Sequence, residues 1–369
     1  MMRPLAEIYA GVGLILWSVG YFFLPRSVVP GLFSWQFVAY LGTMCVVQRK
    51  IAAGKQCSAS SSLKGKITLV SGANTGIGYE TALRFAQLGG KVYLACRSKQ
   101  RAEDALAKIR AAVPGASVEF LHLDISDFDQ VRKAVDDLSV RLGGEGIDIL
   151  VCNAGIMDAT GDLPQKLPNG HESHIGTNHL GTMLFTELCV PFVQKRKGRI
   201  VIVSSLANMI SITWGKKGSG REKGAPGALF KLTMDNESFT KKVDFSTPYG
   251  ISKAGNIIYA KHLAKRVASS GVRVAALHPG CVQTELVRSK VIQLAMIPLA
   301  PLFLKSARDG AQTSLHCSLA HGIVNGGFYA DCALREDVVR ADVLDPTSQK
   351  EFLDWSYQQL KLPKPRGQE

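Results

Sequence analysis

Apolar positions follow two patterns along the chain. Near the N-terminus, 8–24 and 31–47 are uncharged runs of seventeen residues each, with Pro25 and Pro30 bracketing the break between them. Runs of that length sit at the short end of what spans a bilayer as a helix. Trp17, Tyr21, Trp35 and Tyr40 are aromatics of the kind that settle at a membrane interface. From Lys66 onward, short runs rich in Val, Ile and Leu alternate with helical periodicity. The runs 66–73, 91–97, 117–124, 147–155, 199–205, 272–280 and 326–332 predict about seven strands. Between them, 79–88, 99–113 and 128–142 show apolar residues at helical spacing. Near-continuous apolar strands suit a parallel sheet covered on both faces, and the alternation predicts one Rossmann-type, doubly wound α/β domain over 63–345. Residues 1–60 then form an N-terminal membrane anchor of one or two short helices, and 346–369 a C-terminal tail.

Composition sharpens this picture in a few places. The net charge is +14, which favours anionic partners, and no basic aromatic platform points to nucleic acid. Arg49, Lys50, Lys55, Lys64 and Lys66 follow the second apolar run and hold the domain on the cytosolic side by the positive-inside rule. An Asn-x-Ser sequon at Asn236 would be used only in a lumenal orientation. The eight cysteines are scattered without C-x-x-C or Cys/His spacing, so they read as reduced thiols, with no metal site expected.

The first strand runs into SGANTGIG (71–78), which opens a helix. Gly72, Gly76 and Gly78 let the backbone turn tightly and approach a pyrophosphate at a helix N-terminus, with Ser71, Asn74, Thr75 and Ile77 completing the turn. The spacing is G-x-x-x-G-x-G. Nineteen residues past Gly78, where an NAD enzyme usually carries an acid for the ribose, stands Arg97. An arginine there suits a 2′-phosphate, so NADP(H) is preferred over NAD(H).

Together with YGISK at 249–253, these motifs carry a resemblance. SGANTGIG, Asp124 after the third strand, Asn153-Ala154-Gly155, the serine pair 204–205 and His278-Pro279-Gly280 follow the order and spacing of the short-chain dehydrogenase/reductase superfamily over roughly 280 residues. TNHLG (177–181), TELVRS (284–289) and ARDGAQTSLHCSLA (307–320) resemble more narrowly its membrane-anchored retinol dehydrogenase branch. The resemblance implies hydride transfer between a nicotinamide and a carbonyl carbon, with Tyr249 as general acid in reduction and base in oxidation. Lys253, one helical turn on, is expected to lower the phenol pKa and to bond the nicotinamide ribose. Ser205, the second serine of its pair, would bond the substrate oxygen, and Asn178 would hold a relay water. By the same resemblance the cofactor is lined by Asp124 (at the adenine), Ile125, Asn153, Ala154, Gly155, Pro279, Gly280, Val282 and Thr284. His278 reads as structural.

Two departures from the family pattern stand out. Forty-three residues separate Ser205 from Tyr249, more than the family usually has; they include a Gly/Lys/Arg-rich insertion at 214–232. Residues 291–304 are uncharged, contain two prolines and fall where the superfamily places its substrate lid, which predicts an apolar flap at the membrane surface. The expected function is NADP(H)-dependent interconversion of a lipophilic alcohol and its carbonyl, retinol/retinal or a related lipid aldehyde. A hydroxysteroid or other ketone is an alternative substrate, and a pseudoenzyme within a membrane complex an alternative role. The expected location is the endoplasmic reticulum or a lipid droplet, with the catalytic domain facing the cytosol. The sequence leaves monomer and homo-oligomer both open.

Overall fold

The computed structural model describes residues 35–157, 166–210, 246–283 and 300–365. Seven parallel strands, β1 (Ile67–Ser71), β2 (Lys91–Cys96), β3 (Val118–His122), β4 (Ile149–Cys152), β5 (Arg199–Val203), β6 (Arg273–His278) and β7 (Phe328–Ala330), form the sheet. An eighth, β8 (Ala333–Leu334), adds an antiparallel edge, giving the order β3-β2-β1-β4-β5-β6-β7-β8. The sequence pattern predicts seven strands and misses β8, because two residues carry no periodicity. The order reverses between β1 and β4, so the crevice above their carboxyl ends is where a doubly wound sheet takes its ligand.

Strand alternation divides the core between the two faces. Leu69, Tyr93, Leu150, Cys152, Ile200, Ile202, Val274 and Ala276 pack on one side, while Val70, Leu94, Ile149, Val151, Val201, Val203 and Leu277 pack on the other. The second side is covered by α2 (Gly76–Gln87), α3 (Lys99–Ala112) and α7 (Ala307–Leu319). The first is covered by α4 (Phe128–Leu142), α5 (Thr182–Lys195), α6 (Ser246–Arg266) and α8 (Pro346–Gln359). Helix ends follow their local chemistry. Asp127 caps α4 by accepting from the Asp129 and Gln130 amides, and Gly143 ends it in the left-handed region. Ser306 and Asp309 form a capping box on α7.

Segment 346–369, read from sequence as a tail, contains α8, whose Phe352, Leu353 and Tyr357 are buried in the main core. At the other end, α1 (Trp35–Ala53) covers the latter part of the second apolar run and packs against the short helix Ala300–Phe303. Among the described residues, no helix is long and apolar enough to cross a membrane. The run 8–24, the insertion 214–232 and most of the flap at 291–304 lie outside the described residues.

Candidate active site

The predicted cofactor residues lie at the carboxyl ends of the strands. After β1, Gly72 and Gly76 adopt φ of 65° and 58°, conformations that side chains resist, and α2 begins at once. A Cβ on Gly78 would fall 2.3 Å from the Gly72 oxygen, so only glycine lets the helix start under the turn. Ser71 ties this turn to the end of β4: its Oγ accepts from the Asn153 and Ala154 amides, both at 3.0 Å. Asn153 Nδ2 donates back to the Ser71 oxygen at 3.0 Å. Asn74 and Ile77 are half-buried and Thr75 is exposed.

Arg97 follows β2 with its side chain 64% exposed, and its Nε lies 3.8 Å from Asp124 Oδ2. Asp124 anchors its own turn by accepting from the Ser126 amide (3.0 Å) and hydroxyl (2.6 Å). Ile125 is buried beneath it, with its carbonyl packed against Gly181. Past β6, Pro279 is buried and Gly280 takes φ 100° beneath the Lys305 side chain, which also pairs with Asp331 at 3.0 Å. Val282 bridges to Lys305, and Thr284 lies outside the described residues. Nothing local in the sequence marks Lys305, because only tertiary pairing brings it over Gly280.

The four catalytic candidates converge beside this cradle. Asn178 is fully buried in the π-helical turn Ile175–Gly181 that leads into α5. Its Oδ1 accepts from the Ile156 amide at 2.7 Å, and its Nδ2 donates to the Ile156 oxygen at 2.8 Å and to Ser252 Oγ at 3.3 Å. These bonds fix the Asn178 amide against the end of β4 and against α6. Lys253 is buried on α6, donates from Nζ to the Val203 oxygen at 3.2 Å, and shares with Asn178 the space in front of Gly155. Ser204 and Ser205 diverge: Ser204 Oγ bonds the Lys253 oxygen at 2.6 Å, while Ser205 Oγ accepts from the Ala207 amide and reaches the Tyr249 hydroxyl. Tyr249, in the first turn of α6, is 7% exposed.

Protonation departs from the expectation that Lys253 depresses the Tyr249 phenol. Burial pushes that phenol up to about 12, and the hydrogen bond from Ser205 opposes the shift. Burial also pushes Lys253 down to about 8. Both groups are enclosed, and losing water disfavours the charged form of each. His278, with burial holding it at about 3, accepts from the Leu206 amide at its Nδ1, a neutral structural role.

What the arrangement can do follows from its parts. The glycine turn after β1 and the half-buried Asn153, Ala154 and Gly155 after β4 line the carboxyl edge, where an extended dinucleotide would lie with a helix N-terminus under its phosphates. Ser205 and Tyr249 then present two hydroxyls to one oxygen.

A sequence model described as short chain dehydrogenase matches residues 66–216 and 237–294. The chain belongs to that family. It is 34% identical to retinol dehydrogenase 12 of Homo sapiens over 299 residues, covering 80% of this chain and 87% of that protein. Identity to retinol dehydrogenase 11 of Mus musculus is 35%, covering 82% and 89% of the two chains. Among solved structures, a short chain dehydrogenase from Burkholderia cenocepacia in complex with NADP is similar at a TM-score of 0.54 and 25% identity, covering 73% of this chain and 96% of that one. The protein is thus a short-chain oxidoreductase related to retinol dehydrogenases, with a nicotinamide dinucleotide fold.

Proposed function

We propose that the protein is an NADP(H)-dependent oxidoreductase that interconverts a lipophilic alcohol and its carbonyl, retinol/retinal or a related lipid aldehyde. The observation that carries the reading is the meeting of Asn178, Ser205, Tyr249 and Lys253 beside the glycine cradle. A scaffold would need none of these four together. A bound nicotinamide supplies the hydride in reduction and accepts it in oxidation. Ser205 orients the substrate oxygen, Tyr249 delivers the proton to it, Lys253 holds the ribose side of the site, and Asn178 keeps the Ile156 backbone and a relay water in place.

Arg97 supports the NADP(H) preference: it is exposed just after β2, at the position where an NAD enzyme usually carries its acid. Similarity to retinol dehydrogenases supports the substrate class. The uncharged runs support a membrane anchor over 1–60, as do Val46, Val47 and Ile51, exposed on α1 beside Lys50. We place the enzyme on the endoplasmic reticulum or a lipid droplet with its catalytic domain toward the cytosol. The membrane itself is its partner and its source of substrate.

The test is turnover of retinal, steroid ketones and aliphatic aldehydes by the full chain with NADPH and with NADH. NADPH-dependent reduction of retinal that disappears in Tyr249→Phe is the expected result. Activity surviving that substitution would remove Tyr249 as proton donor. Preference for a steroid ketone would move the substrate class, and cofactor binding without any turnover would favour a pseudoenzyme.

A further inference from the structure

The Tyr249 ring has two polar neighbours, one of which, His174, the mechanism above does not use. Lys253 Nζ stands 5.8 Å from the ring centre. His174 meets the ring edge to face, with centroids 6.0 Å apart and planes at 78°. Its Nδ1 lies 2.7 Å from Glu172 Oε1. Glu172 is 1% exposed and fully engaged: Oε1 also accepts from the Ser173 hydroxyl at 3.1 Å, and Oε2 accepts from the Ile175 amide at 2.9 Å. Thus the carboxylate binds both the imidazole and the first residue of the π-helical turn that carries Asn178.

A buried carboxylate and imidazole are a costly way to fill space, because two apolar side chains would pack there without desolvating either group. What an apolar pair cannot do is fix a ring by hydrogen bonding. Tyr249 needs such a support. It lies in the first turn of its helix, and its hydroxyl must meet Ser205 within the narrow tolerance of a proton transfer.

We propose that Glu172 and His174 are a positioning dyad for Tyr249: the carboxylate locks the imidazole in place, and the imidazole edge holds the phenol ring in the orientation that presents its hydroxyl to Ser205 and the substrate oxygen. One carboxylate thereby sets both Tyr249, through His174, and Asn178, through the Ile175 amide. The proposal rests on Tyr249 as proton donor, and its test separates the two ideas.

The full-length chain is prepared with 13C-labelled tyrosine rings, and the Tyr249 signal is assigned by its loss in Tyr249→Phe. Glu172→Gln keeps the shape of the acid and loses its charge. His174→Asn keeps a donor for Glu172 near the place of Nδ1 and loses the ring. Both variants are expected to move or broaden the Tyr249 signal while those of Tyr259 and Tyr329 stay put. In NADPH-dependent retinal reduction, kcat falls about tenfold with KM within about twofold, and the melting temperature of His174→Asn stays near that of the parent. An unmoved Tyr249 signal in both variants overturns the dyad, as does a parental kcat in His174→Asn. If the parent reduces no carbonyl, the role of Tyr249 fails, and its ring signal still decides whether the dyad holds it.

Discussion

Gly155→Ala places one methyl group at the centre of the catalytic cluster. Gly155 is not among the glycines of positive φ, so its backbone accepts alanine. The new Cβ would lie 3.1 Å from Asn178 Oδ1 and 3.3 Å from Lys253 Nζ, so both polar groups must yield by a few tenths of an ångström. Asn178 cannot yield freely, because Ile156 grips it at 2.7 and 2.8 Å. Stretching one such bond costs about 1 kcal/mol, which for a chain of this size lowers the melting temperature by about 1–2 °C. The catalytic cost is larger. Misplacement by about 1 Å is worth about a hundredfold in rate, so a few tenths on both Asn178 and Lys253 is expected to cost about tenfold in kcat. Initial rates of NADPH-dependent carbonyl reduction, set beside a thermal melt, measure both effects. A variant with parental kcat and parental melting would refute the convergence of Asn178 and Lys253 on Gly155.

Two further outcomes follow from the same geometry. Ser71→Ala removes the oxygen that accepts from the Ala154 amide and shares the Asn153 amide with the Val151 oxygen, and is expected to cost about 1–2 kcal/mol in urea unfolding, while Ser71→Thr stays within about 1 kcal/mol; an alanine variant as stable as the parent would contradict this. Burial holds His179 and His262 at about 4 and His278 at about 3, below the ordinary 6.5. The unfolded chain therefore takes up protons first as the pH falls. The stability is fully present above pH 6.5 and is lost toward pH 4, with a slope approaching about 4 kcal/mol per pH unit for three groups. Equal unfolding free energies at pH 7 and pH 5 would show that these imidazoles are not held neutral.

Much of the sheet was legible along the chain, because each buried strand must be apolar on both faces and each helix must show its own period. Helix α4 runs over the residues its periodicity marks, and α3 falls one residue short. The weak points have physical causes as well. β8 is too short to carry a pattern. The apolar residues of α8 look unremarkable until Phe352 and Tyr357 are seen to close the core over α5 and α6. Ser356, on the same helix, bonds buried His179 at 2.8 Å and so steadies the turn that holds Asn178, a link across 177 residues that no local spacing announces.

The site divides along the same line. Chemistry that is local in the chain was readable there: a glycine turn between a strand and a helix, an arginine where an acid would otherwise stand, a tyrosine and lysine one helical turn apart. Those features depend on backbone geometry over a few residues, which residue type and spacing dictate. Only the tertiary structure brought Glu172 and His174 against Tyr249 and laid Lys305 over Gly280. It also decided protonation. Enclosure pushes the Tyr249 phenol up and Lys253 down, because desolvation is a property of everything packed around a group and not of the residues beside it in the chain.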